Sequence, residues 1–159
     1  MAKEVKTNAI RFLEKNKVDF TFHTYESDGF LDGVSVAQKL NQPVELTYKT
    51  LVTRGKSNNY YVYVIPVAEE LDLKKAAKAV GEKSVEMIAV KDITAVTGYI
   101  RGGCSPIGMK KQYKTVLDSS AQEHEEIMFS GGKLGMQIKM NPVTLKNLIQ
   151  GTFDDVCIR

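Results

Sequence analysis

Apolar positions along the chain follow two periods, and the changes from one to the other divide it into elements. Ile10, Phe12 and Leu13 follow Thr7 at near-helical spacing, which predicts a helix over 7–16 with Thr7 as its N-cap. The stretch 18–25 then alternates, with Val18, Phe20 and Phe22 on one face and His23 and Tyr25 on the other, as in a half-buried strand. Asp28-Gly29 and Asp32-Gly33 give 26–34 the chemistry of a loop, and 35–40 supports a short helix that must stop before Pro43.

The middle of the chain carries stronger signals. Segments 48–54 (YKTLVTR) and 60–67 (YYVYVIPV) are dense in β-branched and aromatic residues, and the turn-forming residues between them predict an antiparallel hairpin. Segment 69–81 reads as a helix with Glu69 and Glu70 in its first turn, a Glu70–Lys74 pair at i,i+4, and Gly81 as its stop. A further helix is expected over 90–97, short strands over 115–117, 127–129 and 136–140, and a last helix over 142–149. Strands and helices interleave with neither a βαβ rhythm nor an internal repeat. The expected fold is therefore mixed α/β: one compact domain over 1–159, its mixed, barrel-like sheet flanked by short helices.

Composition narrows the function classes. The chain has 159 residues, with 22 Lys and Arg against 19 Asp and Glu, a net charge of +3. Hydrophobic residues make up 43% and charged residues 26%, which excludes a disordered tail and permits a core needing no disulfide or metal. No apolar run is long enough to span a bilayer, and no signal-type segment follows the charged N-terminus, so a cytoplasmic protein without a membrane partner is expected. Two Cys and two His lack zinc-ligand spacing, so neither metal nor other cofactor is expected.

Candidate chemistry concentrates in a few places. Gly102-Gly103-Cys104-Ser105-Pro106-Ile107-Gly108 lacks both the P-loop ending and the GxGxxG pattern. Its amides could hold an anion or a polarised carbonyl, or it could be a tight connection. Ser130-Gly131-Gly132-Lys133 is a second glycine pair with the same two readings. Lys49 stands inside a strand of buried type, where it either faces an anionic ligand or belongs to a solvated face. Cys104 could be a nucleophile only with a base, and nothing in the order of residues brings His23 or His124 beside it. The cluster Lys110, Lys111 and Lys114, close to the first glycine loop, is either a solvated face or a set of contacts for RNA phosphate.

Five segments occur together and in order: His23-Thr24-Tyr25, Tyr48-Lys49-Thr50-Leu51, Asp72-Leu73-Lys74-Lys75-Ala76-Ala77, and the two glycine loops. This set closely resembles the YbaK/EbsC family of bacterial Cys-tRNA(Pro) deacylases, related to the editing domain inserted in bacterial prolyl-tRNA synthetases. The resemblance implies hydrolysis of cysteine wrongly esterified to proline tRNA. Cysteine and proline are similar in size, and an apolar pocket separates near-isosteres by only about 1–3 kcal/mol, so a second site must remove the error. It further implies that the substrate's own thiol attacks its ester, the protein supplying position and electrostatics.

By that resemblance Lys49 holds the terminal adenosine and its phosphate, and the Gly102 and Gly103 amides orient the ester. Tyr25, Phe30, Ser105, Pro106, Ser130 and Gly131 are expected to line the substrate pocket. The expected partners are the acceptor end of a mischarged tRNA and prolyl-tRNA synthetase. A non-catalytic module that binds tRNA ends or a synthetase, and a deacylase for another misacylated residue, are the competing readings.

Overall fold

A computed structural model describes residues 6–26 and 32–159. Thr7 caps α1 (Asn8–Lys15), its Oγ1 accepting from the Ile10 N–H at 3.1 Å, and Ala9, Ile10 and Leu13 form the buried face of the helix. Strand β1 (Thr21–Thr24) is shorter than the alternating stretch around it. Asp32 caps α2 (Gly33–Lys39) by accepting from the Ser35 N–H at 2.8 Å, so this helix starts earlier than the sequence suggested. The predicted hairpin is present as β2 (Tyr48–Gly55) and β3 (Tyr60–Pro66), antiparallel with Thr50 opposite Val64.

Helix α3 (Leu73–Val80) differs from expectation at its start. Asp72 Oδ1 accepts from the Lys74 and Lys75 amides and fixes the N-terminus there, after Glu69 and Glu70. The expected Glu70–Lys74 helical pair therefore does not exist; Leu71 instead bridges Cys157 in strand fashion. Gly81 ends the helix in the left-handed conformation, as predicted. Next come β4 (Val85–Met87), which alternation did not reveal, and a 3-10 turn (Val90–Asp92) leading into α4 (Ile93–Thr97). The remaining elements are β5 (Lys114–Asp118), β6 (Ile127–Ser130), β7 (Met136–Met140), α5 (Pro142–Leu148) and a further strand, β8 (Thr152–Asp154).

The strands form two open sheets. One has the order β1-β7-β6 and is antiparallel throughout; the other runs β4-β2-β3-β5-β8, with β5 parallel to both β3 and β8. A parallel bridge between Thr47 and Met128 joins them. The main core lies under α1 and α5, where Leu13, Phe129, Ile138 and Leu145 are fully buried. Each such side chain contributes roughly 1.5–3 kcal/mol by leaving water. A second cluster packs α3 against Tyr63, Ile65 and Val116. The Thr47–Met128 seam matters for function, because it brings β2 alongside β6 and so sets Lys49 near the second glycine loop.

Candidate active site

Beside this seam opens a cavity of about 560 Å³, within the range of small-molecule sites. Its lining divides by chemistry. Lys49 and Thr50 of β2, Gly102 and Arg101 of the first glycine loop, Ser130 of β6 and Gln137 of β7 supply polar groups. Val52, Met87, Ile88, Val90 and Ile93 supply an apolar stretch, contributed largely by β4 and the turn into α4. Cys104 also lines the cavity, and Asp32 stands at the start of α2.

Lys49 is half-buried, and its Nζ donates to the Val67 carbonyl at 3.3 Å. That single long bond leaves N–H groups for an anion. Asp32 is close enough to feel this charge. Hydrogen bonds from Ser35, first its backbone N–H and then its hydroxyl, hold the Asp32 carboxyl below the usual range, with Lys49 adding to the effect.

The two glycine loops pack on one another. A Cβ on Gly103 would lie 2.9 Å from Lys133 Cα and 3.2 Å from Leu134 N, so only glycine permits this approach. Gly102 has φ +82°, a conformation that likewise favours glycine. The second loop is tied down from below: Thr7 Oγ1, already the cap of α1, donates to the Gly131 carbonyl at 2.5 Å. Ser130 Oγ accepts from the Gly132 N–H at 3.2 Å. The loops thus form a braced double turn along one edge of the cavity.

Of the residues singled out in the sequence, Lys49, Gly102, Cys104 and Ser130 meet in this cavity. Gly103 lies behind it, with its amide donating to the Ile100 carbonyl at 3.0 Å. Ser105 is fully buried, accepting from the Ile107 N–H at 3.4 Å, and Pro106 is buried beside it, so both shape the loop from within. Gly131 is buried against Met136, and Tyr25 N–H donates to Gly135, which places both near the second loop and off the described lining. Phe30 lies outside the described residues. Asp32, Thr50, Gln137 and the apolar stretch were not found from sequence. Gln137 carries a faint signal: it is a polar residue in the second position of β7, flanked by buried Met136 and Ile138.

Cys104 is half-buried and has no histidine beside it in the cavity lining. Burial pushes its thiol up to about 11, with a hydrogen bond involving the Thr97 side chain opposing the shift in part. A raised value disfavours the thiolate, the form that acts as a nucleophile. Neither histidine lines the cavity: His23 Nε2 lies 3.1 Å from Thr21 Oγ1 on β1, and His124 follows a 3-10 turn. No helix among the described residues is long and apolar enough to cross a membrane.

Comparison with known proteins agrees with this architecture. The family model described as "Aminoacyl-tRNA editing domain" matches residues 32–148. An Enterococcus faecalis (strain ATCC 700802 / V583) protein named "Putative Cys-tRNA(Pro)/Cys-tRNA(Cys) deacylase EbsC" is 48% identical over 152 residues, covering 95% of this chain and 93% of the relative. Two crystal structures share the fold. One, described as "a putative trans-editing enzyme for prolyl tRNA synthetase", has a TM-score of 0.85 at 21% identity and covers 98% of this chain and all 100% of its own. The other, of a hypothetical protein, has a TM-score of 0.86 at 18% identity, covering 95% and 99%. The mixed α/β architecture, the cavity between the braced glycine loops and the β2 lysine, and the match across most of the sequence together place this chain in the aminoacyl-tRNA editing domain family.

Proposed function

We propose that the protein deacylates cysteine wrongly attached to proline tRNA, with Cys-tRNA(Cys) as a second substrate, and that the substrate's thiol is the nucleophile. The observation that carries the mechanism is the contrast within one cavity. It offers a cation at Lys49 and a glycine-loop edge at Gly102, while its thiol, Cys104, has no histidine with it in the lining to act as a base. A site of this kind acts by placing charge and excluding wrong geometries.

In the proposed step the cysteinyl sulfur attacks its own ester carbonyl. A C–S bond forms, the C–O bond to the ribose breaks, and the thiol proton passes to the departing ribose oxygen. The products are free tRNA and a four-membered cyclic thioester, which water opens to cysteine. Lys49 holds the terminal nucleotide by its phosphate, Gly102 lies along the reacting ester, and Ser130 closes the pocket beside it. The first step is then a cyclisation and the overall reaction a hydrolysis. We place the protein in the cytoplasm, where its tRNA substrate is made, and expect contact with prolyl-tRNA synthetase, the source of the error.

The deciding experiment measures single-turnover deacylation of tRNA(Pro) carrying cysteine, serine or alanine. Cysteine should be released far faster than the other two. Equal rates on all three would exclude attack by the substrate thiol, and binding without turnover on a panel of mischarged tRNAs would make the protein a tRNA-end binding module.

A further inference from the structure

Among the described residues, two buried side-chain polar atoms have no hydrogen-bond partner: Thr50 Oγ1 and Gln137 Oε1. Both residues line the same cavity. Gln137 is only 6% exposed. Folded proteins leave few buried polar atoms unpaired, and each such atom calls for an explanation. The coincidence of both in the candidate active site points to a ligand. Nearby polar groups each have at least one protein partner: Lys49 Nζ bonds Val67, Ser130 Oγ bonds Gly132, and Asp32 Oδ1 bonds Ser35.

The chemistry of the two atoms restricts what can satisfy them. An amide oxygen only accepts, whereas a hydroxyl both accepts and donates. Their partner must therefore carry N–H or O–H groups, and two acceptors on different strands suit a donor with several. The ester carbonyl of an aminoacyl-tRNA cannot serve Gln137 Oε1, since it also accepts. A thiol is a weak donor. The α-ammonium has three N–H groups, enough to reach acceptors on both strands. We propose that Thr50 Oγ1 and Gln137 Oε1 seat the α-ammonium of the aminoacyl group, so that Gln137 orients the substrate by a group that does not depend on its side chain.

This inference rests on the deacylase reading, and its test keeps the two separate. Wild-type protein is first assayed on cysteinyl-tRNA; no turnover there removes the deacylase reading itself. With turnover established, wild type and Gln137→Met are compared on cysteinyl-tRNA and on 3-mercaptopropionyl-tRNA, which keeps the thiol and lacks the ammonium. The variant should lose about tenfold or more in kcat/KM on cysteinyl-tRNA, the scale of a hydrogen bond to a charged group, and less than about twofold on the des-amino ester. Gln137→Glu, which retains an acceptor, should restore most of the cysteinyl rate. An equal loss on both esters, or no loss on either, overturns the seat. Should Gln137→Met fail to fold, Thr50→Val on the same two esters gives the same contrast.

Discussion

Gly103 Cα stands so near the backbone of Lys133 that the Cβ it lacks would lie 2.9 Å from Lys133 Cα. Neither partner is a flexible side-chain tip, so neither can yield locally. Gly103→Ala should therefore push the two glycine loops apart. The expected cost is about 1–3 kcal/mol of stability, with a larger proportional loss of deacylation, because the loop edge lines the cavity at Gly102. Thermal melts and kcat/KM on one preparation check this; full activity with an unchanged melting temperature would contradict the close packing.

Lys49→Met should leave the fold intact, since the side chain makes one 3.3 Å bond to the Val67 carbonyl and is only half-buried. Deacylation should fall roughly 100-fold or more, the scale of removing one well-placed charged donor. Lys49→Arg should recover little, because a planar fork does not fit where a point charge did. The readout is single-turnover rate at saturating tRNA, alongside circular dichroism.

Cys104 should be a bystander. With its thiol pushed up to about 11 by burial, only on the order of one in a thousand molecules carries a thiolate at pH 8. Iodoacetamide should label it slowly in the native state and quickly in urea, and Cys104→Ala should retain most activity. Rapid native labelling accompanied by inactivation would restore a protein nucleophile.

Acid stability should depend on Asp118. Burial alone would raise its carboxyl, but the Ser120 hydroxyl, Arg159 and the Val156 N–H together hold it below its ordinary value of 3.8. A depressed folded value adds stability that is fully present above the unfolded value and is lost as pH falls through the folded one. Asp118→Asn should thus cost about 1.5–3 kcal/mol near neutrality, and the gap to wild type should narrow steadily below about pH 4. Arg159→Ala should cost less, since that side chain is 40% exposed. Urea melts at pH 3 to 7 measure both.

How far the sequence could be read depended on how local each signal was. The caps at Thr7 and Gly81, the β2–β3 hairpin and the proline-led α5 were legible because a few adjacent residues determine them. Strands β4 and β8 were missed: at three residues each they are too short to alternate, and they exist only because β2 and β5 offer free edges. Glu69 and Glu70 looked like a first turn, but Asp72 competes for the same amides from the better position. In the site, the residues alone left Lys49 open between solvent and ligand, and the family resemblance favoured the ligand; its place beside the second glycine loop comes from the Thr47–Met128 seam, a contact between residues 81 positions apart. The same distance hid Gln137 and the Met87–Ile93 lining, whose role arises only where two sheets meet.

Thr7 has one hydroxyl and two duties, starting α1 and tethering Gly131. It lies 25 positions before the family match begins at residue 32. A protein engineer who trimmed the chain to residues 32–148 would keep the lysine, both glycine loops and the glutamine. The trimmed chain would nevertheless lack the helix on which the second loop rests, along with the three buried side chains of that helix. The recognisable segment is thus a catalytic outline, and the smallest portable unit must start upstream of the threonine.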